Sequence, residues 1–118
     1  MYARDTGPDA AHWRELPPAE QVDVAVESFR MLADPTRLRI MWLLSGGEYD
    51  VTSLAAQVGI ARPAVSQHLA KLRLAGLVST HREGRRALYR VRGGHVRRML
   101  SEAVETAYHQ VSGAPEHD

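Results

Sequence analysis

Between Asp50 and Gly76 the chain carries two short amphipathic segments with almost nothing between them. In the first, Leu54, Ala55 and Val58 share one helical face, Asp50 or Thr52 stands at the N-cap, and Gly59 follows as a left-handed stop. In the second, Ala61 or Arg62 opens a helix with Pro63 in its first turn, where a missing N–H costs nothing. Val65, Leu69 and Leu72 then carry an apolar face as far as Gly76. Two helices of this size joined by about four residues including a glycine make a helix-turn-helix, and the rest of the chain must pack around that corner.

The flanking patterns supply the rest of a domain. Val22, Val26, Phe29 and Leu32 predict a helix from Pro18 to about Leu32. Asp34-Pro35-Thr36 restarts the chain with Asp34 as cap, and Leu38, Ile40, Met41, Leu43 and Leu44 make the second helix largely buried before Ser45-Gly46-Gly47 ends it. After Gly76, Leu77 to His81 and Ala87 to Val91 are β-prone runs with a basic tip, Arg82-Glu83-Gly84-Arg85-Arg86, between them. A last helix from His95 to about Val111 shows a stripe at Val96, Met99, Leu100, Ala103, Val104 and Ala107. That stripe is too apolar to leave wet, and Val22, Val26 and Phe29 offer it a matching surface in a partner copy. The expected fold is mainly α with a small β-hairpin, a winged helix-turn-helix over residues 18–111. Flexible tails are expected at 1–17 and 112–118, and 118 residues leave room for one modest core.

Charge narrows the chemistry. Residues 61–100 hold ten Lys and Arg against a single Glu, while both flanks are acidic, so the net charge of +1 conceals a strongly basic block. A basic patch on a folded unit is the footprint of a polyanion binder. On the fourth helix Ser66, Gln67 and Lys71 fall opposite the apolar face, with Arg62 at its start. Short side chains there let the backbone approach a major groove, Gln67 and Ser66 suit base edges, and Arg62 and Lys71 suit phosphates. Arg85 and Arg86 at the hairpin tip reach the neighbouring backbone or minor groove. His68, about 60° from the apolar stripe, is expected to be packed and hydrogen-bonded rather than a base reader. His81 is expected to face phosphate or solvent. The absence of cysteine removes disulfides, thiolate nucleophiles and Cys-based metal sites and fits a reducing cytoplasm. No apolar run nears the ~18 residues that cross a bilayer, so a cytoplasmic protein with no membrane partner is expected. No Ser/His/Asp set, phosphate loop or paired carboxylate stands out, which argues against an enzyme.

Ala33-Asp34-Pro35-Thr36-Arg37-Leu38-Arg39-Ile40, Val51-Thr52-Ser53-Leu54-Ala55, Ala64 to Leu72 (AVSQHLAKL) and Ala75-Gly76-Leu77-Val78 resemble, in order, the ArsR/SmtB family of winged-helix repressors. The resemblance covers about residues 20 to 110. It implies a homodimer joined by its first and last helices, binding to a palindromic double-stranded DNA operator, and release of DNA when a metal or other inducer binds.

The resemblance also says where inducers bind. Thiolate-type sensors carry a Cys-x-Cys pair opening the third helix; the corresponding positions here are Asp50 and Thr52, so that site is excluded. Nitrogen and oxygen sensors use an Asp-x-His pair and a second pair on the last helix. Here those positions are Gly93, His95, Thr106 and His109, a partial match closest to the nickel/cobalt-sensing branch. His95 and His109 lie within ~40° of one face but ~21 Å apart along one helix, so an ion has to bridge His95 of one copy and His109 of the other. Glu102 shares the face, and His117 on the tail is a further candidate ligand. Such a set suits nickel or cobalt, with zinc also admissible. The alternative is a regulator of the same type that is metal-independent or answers to a partner protein or an organic effector.

Overall fold

Two aspartates set the starts of the central helices. In the computed structural model, which describes residues 15–113, the Asp34 carboxylate accepts from the Arg37 N–H at 2.9 Å and that of Asp50 accepts from the Ser53 N–H at 2.8 Å. Each satisfies a donor that a helix start leaves bare. The elements run α1 (Ala19–Leu32), α2 (Pro35–Ser45), α3 (Val51–Val58), α4 (Arg62–Leu74), β1 (Val78–Glu83), β2 (Arg86–Val91) and α5 (Gly94–Ser112). The expected helices are all present, with ends shifted by a residue or so.

The corner between α3 and α4 is built as the pattern required. Gly59 adopts φ 78°, and its N–H returns to the Ala55 carbonyl at 2.8 Å, a left-handed C-cap. Ile60 tucks its side chain against the core, and Pro63 sits in the first turn of α4. α2 lies at the centre of the protomer. Its Ile40, Met41 and Leu44 are fully buried against Leu54 of α3, Val65, Leu69 and Leu72 of α4, Leu77, Val78 and Val91 around the hairpin, and Leu100 of α5. Leu38 and Leu43, expected inside, are half-buried, and Trp42 is 47% exposed, so α2 keeps one open face.

The hairpin is tighter than its sequence suggested. Register runs from Val78↔Val91 to Glu83↔Arg86, leaving only Gly84-Arg85 as the turn, with φ 66° at Gly84. A positive φ at the first central residue alone is the geometry of a type II′ turn, whose twist matches the strands. Arg82, Glu83 and Arg86, read as loop, are therefore strand residues. Tyr49 adds a third edge by exchanging both backbone bonds with Tyr89, at 3.2 and 2.9 Å.

No side chain of α1 is fully buried within the protomer: Met31 and Leu32 at its C-terminal end pack half-buried against the core, while Val22, Val24, Val26 and Phe29 are exposed. On α5, Ala103 and Ala107 are exposed, but Leu100, placed in the partner-facing stripe from sequence, is 1% exposed and belongs to the protomer's own core. Among the described residues no helix is long and apolar enough to cross a membrane. Most of the two expected tails lies outside the described residues.

Candidate nucleic-acid interface

α4 presents its polar face outward as the periodicity demanded. Arg62, Ser66, Gln67, Ala70 and Lys71 are exposed while Val65, Leu69 and Leu72 are buried beneath them. A cleft of about 500 Å³ lies between this helix and the wing, lined by Ser66, Ala70, Arg73, Leu74 and Tyr89 among others. The exposed helix face and the wing are thus set side by side, the arrangement that lets one element enter a groove while the other reaches the flanking backbone.

The wing arginines fall into two groups. Arg85 is exposed at the turn and leaves its carbonyl to Arg82 Nη2 at 3.0 Å. Arg86 is held: its Nε donates to Asp50 Oδ2 at 3.1 Å. Arg90 is held likewise by Glu48 Oε2 at 3.3 Å and by Ser79 Oγ at 3.3 Å. His81 is partly exposed to solvent, and its Nδ1 lies 3.7 Å from Glu48 Oε2, because the 48–50 segment runs along the wing and brings its carboxylates there. Sequence reasoning missed Glu48. Its only signal was an acidic residue on either side of Tyr49, which carries no meaning until the Tyr49–Tyr89 pairing is known. Also unanticipated is Arg97, whose Nε donates to the Ser45 carbonyl at 3.0 Å and so ties α5 to the C-terminal end of α2.

Electrostatics follow these bonds. The Ser53 N–H and hydroxyl hold the Asp50 carboxyl below the ordinary carboxylate range, with Arg86 adding to the effect. The Arg37 N–H does the same for Asp34, with a smaller contribution from the Arg37 charge. His68 is half-buried with Nδ1 3.4 Å from Arg37 Nη1, the packed and hydrogen-bonded role expected of it.

The candidate metal ligands are spread along α5. His95 is exposed at its first turn, with Nδ1 2.9 Å from Arg98 Nη2. His109 is half-buried in the last turns, its ring edge-on to Tyr108 with centroids 5.4 Å apart. Glu102 is exposed between them, and His117 lies outside the described residues. Among the described residues no group of three or more His, Asp or Glu side chains is placed to hold an ion within one protomer. The donors fit a nickel or cobalt ion in kind, and only two protomers can bring them together. Arginine only donates, so the Arg98 contact keeps the His95 proton on Nε2, and that tautomer has to change before Nε2 can ligate a metal.

Residues 34–80 match the bacterial regulatory protein, arsR family. The chain is 49% identical over 117 residues to the HTH-type transcriptional regulator KmtR of Mycobacterium tuberculosis, covering 99% of this chain and 85% of that one. It is 38% identical over 91 residues to the HTH-type transcriptional repressor SmtB of the same species, covering 77% and 67%. Among solved structures, the homodimeric winged helix-turn-helix DNA-binding domain of Mb0332 from Mycobacterium bovis superposes with a TM-score of 0.77 at 31% identity, over 85% of this chain and 93% of that one. A capped helix-turn-helix, a short wing beside it and kinship along nearly the whole chain converge: the protein belongs to the arsR family and is a DNA-binding transcriptional repressor of the winged helix-turn-helix type, not an enzyme.

Proposed function

We propose that the protein works as a cytoplasmic homodimer on a palindromic operator and leaves it when nickel or cobalt, with zinc a weaker candidate, binds across the two copies of α5. The observation that carries this is the layout of α5: His95 and His109 share a face at opposite ends of one helix whose apolar Ala103 and Ala107 are uncovered. Antiparallel packing of two such helices pairs each His95 with the other copy's His109 and yields two equivalent sites. α1 supports the same dimer, since its Val22, Val26 and Phe29 are exposed in the protomer.

On DNA, Gln67 and Ser66 read base edges, Arg62 and Lys71 hold phosphates at the ends of α4, and Arg85 reaches the flanking backbone. Arg86 joins them through its Nη groups while its Nε stays on Asp50. Two recognition helices related by a two-fold axis require half-site centres ~34–36 Å apart or a multiple of that distance. A bound metal supplies one thing, a charge fixed between the two α5 helices. The protein's own imidazoles must be neutral to receive it.

The Arg98 contact at His95 favours a second reading, a dimeric repressor that is metal-independent or answers to a partner protein or organic effector. Calorimetry separates the two. Titrating nickel, cobalt and zinc chlorides into the tag-free protein should give saturable binding of two ions per dimer, lost in His109→Ala and His95→Ala. No heat beyond dilution with any of the three metals would establish the second reading.

A further inference from the structure

Arg37 ties three elements together. Its N–H donates to Asp34 Oδ2 at 2.9 Å, its Nε to the Met31 carbonyl at 2.6 Å, and its Nη1 meets His68 Nδ1 at 3.4 Å. Met31 lies in the last turn of α1, where carbonyls have no partner within the helix. His68 lies in the middle of α4, next to Gln67. Because guanidinium only donates, His68 Nδ1 is the acceptor and the imidazole proton sits on Nε2.

The geometry points to His68 as a positioning residue for base reading, holding the rotation of α4 through Arg37 and tying that rotation to the end of α1. The packing of Val65, Leu69 and Leu72 holds α4 against the core but is non-directional. A hydrogen bond is directional. At a helix radius of about 6 Å, a rotation of about 20° moves a side chain by about 2 Å, enough to break a base contact whose useful range spans only a few tenths of an ångström. Only the C-terminal end of α1, Met31 and Leu32, packs half-buried against the protomer's core, while the exposed Val22, Val26 and Phe29 leave the rest of the helix to be placed by what covers it, and the Met31–Arg37–His68 chain carries that placement to the residue beside Gln67.

This inference rests on the reading of α4 as the base-contacting helix, and the experiment keeps the two apart. Duplexes selected by the wild-type protein from a random library, and base-shuffled versions of them, are titrated by fluorescence anisotropy with the full-length chain. Circular dichroism melting is run alongside. His68→Leu, which removes the acceptor, should lower the ratio of selected to shuffled affinity about tenfold while changing shuffled binding less than about twofold. His68→Asn, which restores an acceptor near Nδ1, should bring the ratio back to within about threefold of wild type. Arg37→Met should match His68→Leu and reads the same contact from its other end if His68→Leu does not fold. A wild-type ratio in His68→Leu or Arg37→Met, or an Asn variant as impaired as Leu, overturns the inference. Gln67→Ala serves as the reference: an unchanged ratio there overturns the reading of α4 itself, and the positioning role with it.

Discussion

One carboxylate, that of Asp50, caps α3 through Oδ1 and holds Arg86 of the wing through Oδ2, at 2.8 and 3.1 Å. A single side chain therefore links the start of the helix-turn-helix to the wing, beside the Tyr49–Tyr89 backbone pair and the shared core. Asp50→Ser should keep the cap and release Arg86, whereas Asp50→Ala should lose both. Hydrogen exchange reads the difference: amides of β2 should exchange several-fold faster in Asp50→Ser with α3 unchanged, and faster in both elements in Asp50→Ala. Unaltered β2 exchange in Asp50→Ser would show that the Arg86 contact contributes nothing to holding the wing.

Acid should loosen the same corner. The folded state holds the Asp34 and Asp50 carboxyls below their ordinary value of 3.8, through the Arg37 and Ser53 N–H groups respectively. A group whose folded pKa is depressed stabilises the protein above its unfolded pKa and loses that contribution as pH falls through the folded one. Melting temperature should thus be flat with respect to these groups from neutral pH down to about 5 and fall below about 4. Asp34→Asn with Asp50→Asn should flatten that acid limb. A wild-type limb in the double variant would assign acid sensitivity to other carboxylates.

Two apolar residues on the first and last helices should answer mutation differently. Leu100 is 1% exposed inside the protomer, so Leu100→Ala should cost about 2–5 kcal/mol by chemical denaturation. Phe29 is 60% exposed, so Phe29→Glu should leave the protomer folded but give monomers by sedimentation. Dimers persisting unchanged in Phe29→Glu would move the interface away from this face of α1.

Much of the fold was legible because local chemistry and long-range packing ask for the same residues. Asp34-Pro35 and Asp50 mark helix starts, Gly59 marks the corner, and Val65, Leu69 and Leu72 sit at a spacing that only a helix satisfies. The misses share a cause. Leu100 falls in the same apolar stripe as Ala103, and periodicity alone does not tell a protomer's own core from a partner's surface. Glu48 and His81 meet only because Tyr49 pairs with Tyr89 across 40 residues of chain, a contact without a local pattern. The candidate metal site was legible as a set of donors on one helix, while its assembly depends on a second copy.

Base reading and phosphate holding should separate cleanly. Gln67→Ala should relax preference at one base position per half-site at a cost of ~1–3 kcal/mol. Arg85→Ala should weaken selected and shuffled duplexes alike and reduce the slope of log affinity against log salt by about 1. If Arg85→Ala altered base preference instead, the wing would be reading sequence.

Release of DNA by metal is the property on which the proposed regulation stands. A metal frees the operator only by binding the free dimer more tightly than the DNA-bound one, with a typical coupling of ~1–3 kcal/mol. The deciding measurement is anisotropy of a labelled duplex from the protein's own promoter, saturated with protein and titrated with nickel, cobalt and zinc chlorides in turn, for wild type and His109→Ala. Nickel or cobalt should weaken wild-type binding about 5- to 150-fold and leave His109→Ala in place, with zinc less effective. Wild-type protein that holds the duplex equally well with and without saturating metal would contradict the metal-sensing function.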